Sequence, residues 1–425
     1  MQPLRGTRDI LPNEMQSWQY IHNIANKILN QNNYKEVQTP IIENTELFTR
    51  SIGNFTDIVN KEMYSFCDQS NRNITLRPEG TASIARAIIS NKLYVDSQIS
   101  RLWYMGPMFR YERPQKGRQR QFHQLGIECI GSFNPIADVE VIKLAIQVLS
   151  KLGCISEYEL DINCIGNIEE RELYKVQLVE YLHKYKDELD NDSKTRLNKN
   201  PLRILDSKNT KTQEILQTGP ILKNYLNKAS LDHFNQVCEH LEYLQISYNI
   251  NNYLVRGLDY YNYTAFEIKT KTINNQNTVC GGGRYDRLIE QLGGPNIPAV
   301  GWAIGIERIL ILANNYLKTQ AQVTNTSIYV AVRNDNYHNS YMVWDILNIL
   351  EEYNIKFELD LSNSNLSRQI KKASRLKATI CLILGENENY NKFVTIKWLN
   401  TGMQQQIHFV ELKEYMKYIK KTIIT

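Results

Sequence analysis

No two cysteines of this 425-residue chain form a CxxC pair. The seven present (Cys67, Cys129, Cys154, Cys164, Cys238, Cys280 and Cys381) are scattered and odd in number. That pattern supports neither a disulfide framework nor a zinc site. The seven histidines show no HxxxH or HExxH spacing, which removes the helix-borne zinc motif. No run of about 18 apolar residues occurs, so no membrane span is expected. The opening MQPLRGTRDILPNE has no apolar core and is not rich in Arg and Ser. No signal or transit peptide is therefore expected. These absences point to a reducing interior compartment. No internal repeat is found.

What is present is ample apolar matter, 42% of residues, and a length that calls for two or three domains. Asn, Ile, Lys and Tyr are abundant, with 26 Tyr against 11 Phe. That bias suits an AT-rich coding genome, either a low-GC bacterium or an organelle. Bacterial cytoplasm and plastid stroma are both compatible with it. The formal charge is +5, yet Arg110 to His123 alone holds five basic residues and one acid. Almost all the excess thus sits in fourteen residues, a local field suited to a polyanion.

Periodicity orders the rest. Gln16 to Asn30 has an amphipathic helical pattern. An extended segment around Pro40 leads to a short helix. A strand is expected at Ile74 to Leu76, then a helix to about Asn91. Two strands with a basic loop between them follow, then a helix near Ala137 to Leu152 and a strand at Tyr158 to Asn163. From about residue 165 to 248 the pattern is helical and charged, which reads as an insertion. Strands are expected again at Tyr253 to Val255, Ala265 to Lys271 and Thr278 to Cys280. Gly281 to Gly283 reads as a loop opening a helix at Asp286 to Leu292. A strand–helix unit spans Val300 to Asn314. Residues 321–326 read as a linker between a core of residues 1–320 and an α/β domain of residues 327–425.

Four constellations carry chemistry. In GPMFRYERPQKGRQRQFHQLGIECIG, period two puts Gln124 and Glu128 on one face and Leu125, Ile127 and Cys129 on the other. A polar face beside Arg110 is a poor core and a plausible pocket; the bland alternative is a solvated hairpin tip. Glu79-Gly80-Thr81, between a strand and a helix, could grip an ammonium group. Alternatively Thr81 is simply an N-cap. Val255 to Tyr261 packs Arg256, Asp259, Tyr260 and Tyr261 around a glycine, either a ligand wall or an aromatic strand. Gly301 to Arg308 joins a glycine-bearing strand to a helix, for ligand approach or for packing.

The order of these signals is more specific than any one of them. Pro40 in an extended segment, the Arg110 hairpin, and a glycine strand with Arg308 resemble motifs 1, 2 and 3 of class II aminoacyl-tRNA synthetases. LRPEGT, GPMFRYERPQKGRQRQFHQLGIE, LVRGLDYYNYTAFE, GGGRYD and GWAIGIERIL narrow the resemblance to bacterial-type histidyl-tRNA synthetases, over essentially the whole chain. One departure is visible: Asn33 stands where that family often has glycine, and Asn tolerates positive φ.

The resemblance implies an α/β (α+β) fold. It would have an antiparallel-sheet catalytic core with a helical insertion, and a C-terminal α/β anticodon-binding domain. It implies histidyl-adenylate formation from L-histidine and ATP with Mg²⁺, then transfer to histidine tRNA by a homodimer without membrane contact. Arg110 and Arg256 would be catalytic, gripping the α-phosphate from two sides. Glu112 and Arg308 would complete the ATP site. Glu79, Gly80, Thr81 and Gln124 would bind the α-ammonium side of histidine. Glu128 and Tyr261 would read its ring nitrogens, with Tyr260 and Tyr285 lining the pocket and Arg256 also touching the amino acid. Arg113, Gln115, Lys116 and Arg118 would meet the tRNA acceptor end. The Mg²⁺ ligands are not assigned. A competing reading is a non-catalytic paralogue that regulates ATP phosphoribosyltransferase; that family lacks the anticodon-binding domain and degrades RGLDYY. A prolyl or threonyl enzyme would lack RGLDYY and GGGRYD.

Overall fold

A computed structural model describes residues 1–424 apart from 54–55, 97, 115–117, 155–157, 271–277, 321–327, 334–339 and 363. Two units emerge, Met1–Ala321 and Gln322–Thr425. In the first, the strands are β1 (Lys35–Glu36), β2 (Ile42–Asn44), β3 (Tyr64–Cys67), β4 (Asn73–Leu76), β5 (Ser100–Phe109), β6 (Gln121–Ile130), β7 (Tyr158–Cys164), β8 (Asn249–Ile250), β9 (Asn262–Thr270), β10 (Thr278–Arg284) and β11 (Ala299–Gly305). The main sheet runs β1-β5-β6-β11-β10-β9-β7-β8, and a small one runs β2-β4-β3. Pairing is antiparallel from β5 to β7, with parallel pairs at both edges.

Alternation decides the two faces of the main sheet. Leu125, Ile127 and Cys129 of β6, with Val300, Trp302 and Ile304 of β11, are buried on one side. They pack against helices Pro12–Gln31, Pro135–Lys151 and Lys228–Tyr243, which supply Trp18, Ile21, Val141, Leu144, Phe234 and Val237. Trp302 Nε1 donates to the Val141 carbonyl at 2.8 Å, so the one polar atom of that indole is satisfied. The opposite face has little bulk. Gly126, Gly281, Gly301, Ala303 and Gly305 lie in cross-strand register there, with Gln124, Glu128 and Glu267 among them. A sheet face that gives up side-chain volume leaves room for a ligand.

The helical stretch expected over 165–248 is helical, but it divides in its packing. Helices Ile168–His183, Asn191–Lys199 and Thr210–Gln217 share a core with Tyr260, Tyr261 and Tyr285. Helix Lys228–Tyr243 instead lies under the main sheet. Two other expectations fail. Tyr253 to Val255 is not a strand; the edge strand β8 precedes it. Gly281 to Gly283 is not a loop but the middle of β10, and the helix after it shrinks to Leu288–Gln291. Glycine has low strand propensity, and here tertiary demand overrides it. Asn33 does adopt positive φ, at 60°.

The second unit holds a mixed sheet of β12 (Ile328–Val332), β13 (Phe357–Leu359), β14 (Ile380–Leu384), β15 (Phe393–Trp398) and β16 (Gln404–His408), in the order β13-β12-β14-β15-β16. Helices Ser340–Glu352 and Phe409–Ile419 contribute to the apolar layer on one face. Helix Leu366–Arg375 contributes Ala373 on the other. The sequence QQQIH gave no strand signal for β16 because it is a mostly exposed edge.

Candidate active site

Sheet geometry brings the separate sequence motifs to one cavity. It is lined by Glu79, Thr81, Arg110, Glu112, Arg118, Gln124, Arg256, Tyr260, Tyr261 and Arg308, over Gly281, Ala303 and Gly305. Strand β6 delivers Gln124, the end of β5 delivers Arg110, and the residues before β9 deliver Arg256 to Tyr261.

One end is a closed set of mutual hydrogen bonds. Glu79 accepts from the backbone N–H of Thr81 at 2.7 Å and of Ala82 at 2.8 Å. It therefore does the capping that Thr81 was expected to do; Gly80 is the N-cap residue, and its backbone abuts the Tyr104 ring. The Tyr260 hydroxyl also donates to Glu79, at 3.4 Å. Burial raises the Glu79 carboxyl, and the two backbone donors oppose it. Thr81 Oγ1 donates to Glu128 at 2.8 Å, and the Tyr285 hydroxyl donates to its other oxygen. Burial pushes the Glu128 carboxyl up to about 8, against those two donors. Glu128 and Tyr285 do not line the cavity; they form the layer behind it. Gly301 pairs with Glu128 across the strands, and a Cβ there would collide with the Glu128 carboxylate. Tyr260 and Tyr261 pack with ring centroids 4.7 Å apart. Gln124 Oε1 is buried and has no hydrogen-bond partner.

The other end is basic. Arg110 Nε donates to the Pro78 carbonyl at 2.9 Å, and its guanidinium lies 5.2 Å from the Phe122 ring centroid. Arg256 is ion-paired with Glu267 and sits 5.6 Å from the Tyr261 centroid. Its Nε is buried and has no partner. A Cβ on Gly281 would occupy the space of the Arg256 guanidinium, which explains a glycine inside β10. Arg308 donates to the Thr278 carbonyl. Glu112 faces Arg118 at 3.2 Å and Arg110 at 4.0 Å. Of the remaining loop residues, Arg113 is exposed, and Gln115 and Lys116 lie outside the described residues.

Three features escaped the sequence reading. Glu267 anchors Arg256; it shares the cavity face of β9, a period-two signal that was available. Glu307 accepts from the His123 N–H at 3.0 Å and pins β6 to the third motif. Arg284, fully buried, is paired with Asp138 at 2.6 Å and Asp286 at 3.1 Å. It is the last residue of β10.

A cavity over an antiparallel sheet, lined by Arg110 at the hairpin and by Arg308 where a glycine-bearing strand runs into a helix, fits the architecture of class II aminoacyl-tRNA synthetases. Comparison with known proteins narrows this. The histidyl-tRNA synthetase family matches residues 6–309, and an anticodon binding domain matches residues 327–419. The chain is 62% identical to the chloroplastic histidine–tRNA ligase of Gracilaria tenuistipitata var. liui, over 95% of each chain. It is 48% identical to the histidine–tRNA ligase of Acaryochloris marina, over 100% of this chain and 97% of that one. The crystal structure of apo S. aureus histidyl-tRNA synthetase matches with a TM-score of 0.80 at 34% identity, covering 98% of this chain and 100% of that one. The chain belongs to the histidyl-tRNA synthetase family.

Proposed function

We propose that this chain ligates L-histidine to histidine tRNA through histidyl-adenylate, releasing diphosphate and then AMP. The observation that carries the reading is Arg256. Its buried Nε lacks a partner, and its side chain lines the same cavity as Arg110. Two guanidiniums lining one cavity suit a phosphate attacked in line, because the charge that develops there is met by donors already in place. Histidine's α-carboxylate would attack the α-phosphate between them. Arg308 and Glu112 would hold the rest of the nucleotide. The protein forms no covalent bond in this scheme; it positions and neutralises.

At the closed end, the unpartnered Gln124 oxygen awaits a donor. The α-ammonium supplies one, with Glu79 and Thr81 beside it. Tyr261 and, from the layer behind, Glu128 would read the imidazole nitrogens, with Tyr260 and Tyr285 holding them. A competitor lacking ring nitrogens would leave these groups unpaired, a discrimination of roughly 10⁴-fold or more in comparable polar pockets.

ATP-dependent ligation calls for a divalent cation, and Mg²⁺ carried on the triphosphate is the form proposed. Among the described residues no three His, Cys, Asp or Glu converge into a metal cage. The ion would ride mainly on phosphate oxygens, with a cavity carboxylate such as Glu112 near it. The exposed loop residues Arg113 and Arg118, with Gln115 and Lys116, would meet the acceptor end of the tRNA. The C-terminal α/β unit would read the anticodon. Its presence, with an intact RGLDYY, favours ligase over regulatory paralogue.

A homodimer is proposed through the segment around Pro40, where Ile41 and Ile42 are exposed. Among the described residues no helix is long and apolar enough to cross a membrane. The chloroplastic and cyanobacterial relatives support a plastid or a bacterial cytoplasm as the setting. The test is exchange of labelled pyrophosphate into ATP. Exchange should require histidine; exchange driven by another amino acid, or none at all, overturns the reading.

A further inference from the structure

The first turn of the helical insertion closes on the segment that carries Arg256 and Tyr261. Arg171, in helix Ile168–His183, reaches across with Nη1. It donates to the Tyr261 carbonyl at 2.6 Å and to the Asp259 carbonyl at 3.5 Å. Among the described residues no carboxylate lies within ion-pair distance of it, so its hydrogen bonds go to backbone oxygens, while the Asp259 and Glu172 carboxylates act on its charge from farther away. Beside it, Ile165 N–H donates to Tyr263 at 2.7 Å, and Tyr263 N–H donates to Gly166 at 2.9 Å. Tyr263 is held at φ 46°, a left-handed conformation that a bulky residue keeps only when its surroundings over-determine it.

Two more insertion residues touch the same segment. Asn200 Nδ2 donates to the Asp259 carboxylate at 3.2 Å. The Arg203 guanidinium lies 3.5 Å from where a Cβ on Gly257 would stand. The helix that presents Arg171 is itself fixed. Asn167 and Glu170 form a capping box, and Glu170 also accepts from Ser230 Oγ at 2.9 Å. The anchor is thus stiff, and the segment it holds is short.

A guanidinium engaged with carbonyl oxygens fixes peptide planes rather than binding substrate. Here the plane it fixes belongs to Tyr261, whose side chain lines the cavity. We infer that Arg171 is a positioning residue for the amino-acid pocket. It sets Tyr261 and, through the same short segment, Arg256. The helical insertion is on this view part of the histidine-binding apparatus. The inference rests on the function proposed above, and its test separates the two.

Arg171→Ala and Arg171→Lys are compared with the unaltered full-length chain in pyrophosphate exchange, with histidine and ATP titrated separately. Exchange by the unaltered chain decides the function itself. Arg171→Ala should raise KM for histidine about tenfold or more, the size of one lost charge-assisted hydrogen bond. KM for ATP should stay within about twofold, and Arg171→Lys should recover part of the loss. An unchanged KM for histidine overturns the inference. So does an equal loss of all parameters that tracks a lowered melting temperature. A second measurement needs no substrate: amide hydrogen exchange of the peptide spanning residues 256–263. It should quicken in Arg171→Ala and slow again in Arg171→Lys. Unaltered protection there overturns the inference whatever the chain's activity.

Discussion

The two ends of the cavity are built on opposite plans. At the carboxylate end, Glu79, Thr81, Glu128, Tyr260 and Tyr285 are already bonded to one another and buried. At the basic end, Arg110, Arg118 and Arg256 are only partly matched by Glu112 and Glu267, and Arg256 keeps a buried donor without a hydrogen-bond partner. A small neutral-to-cationic ligand is selected by shape and by donors fixed in advance. A polyanion is met by cations left incompletely neutralised. Selectivity and turnover should therefore separate by region.

The largest effect should come from Arg256→His. Adenylate formation should fall by about 10²–10³-fold, the scale of losing one donor aimed at developing charge, while ATP and histidine still bind. Single-turnover rates with separate binding titrations check this, and normal turnover would merge the two ends into one. Next comes Glu128→Gln. It should raise KM for histidine about tenfold to a hundredfold, equivalent to roughly 1–3 kcal/mol, and leave KM for ATP nearly unchanged.

The same variant carries a pH signature. Glu128 holds its proton up to about 8 in the folded chain, against an ordinary value of 4.5. Its contribution to stability is thus full below 4.5 and is lost as pH rises through about 8. Melting temperatures at pH 5 and pH 8.5 should show the unaltered chain losing ground against Glu128→Gln as pH rises. Gly301→Ala should cost about 1–3 kcal/mol in denaturant melts, since the added methyl meets the Glu128 carboxylate and the Ile127 carbonyl. Smallest is Arg118→Ala. Arg118 and Glu112 form a partly exposed pair, so stability should move by less than about 1 kcal/mol.

Much of this was legible in advance, and the reasons differ by region. Period two in β6 correctly separated Gln124 and Glu128 from Leu125, Ile127 and Cys129, because one face of that strand packs under the helices and the other carries the polar groups around the cavity. The order of motifs identified the architecture. What stayed hidden depends on long-range contact. Nothing local tells that Gly281 yields to an arginine 25 positions earlier, so three glycines read as a loop. Nor can composition show that Glu128 sits behind the cavity wall, or that helix Lys228–Tyr243 leaves its neighbours to pack under the sheet. Glu267 was recoverable from alternation alone, but its importance depends on facing Arg256.

The Arg284 cluster has a consequence for how the molecule answers its ionic surroundings. Arg284 and Asp138 are shut away from water entirely, where dissolved ions barely screen their attraction. The loop arginines lie within reach of solvent, where screening is strong. Raising salt should therefore weaken capture of nucleotide and RNA while leaving the melting transition almost where it was. One chain would then hold its shape across ionic strengths that progressively loosen its grip on charged substrates.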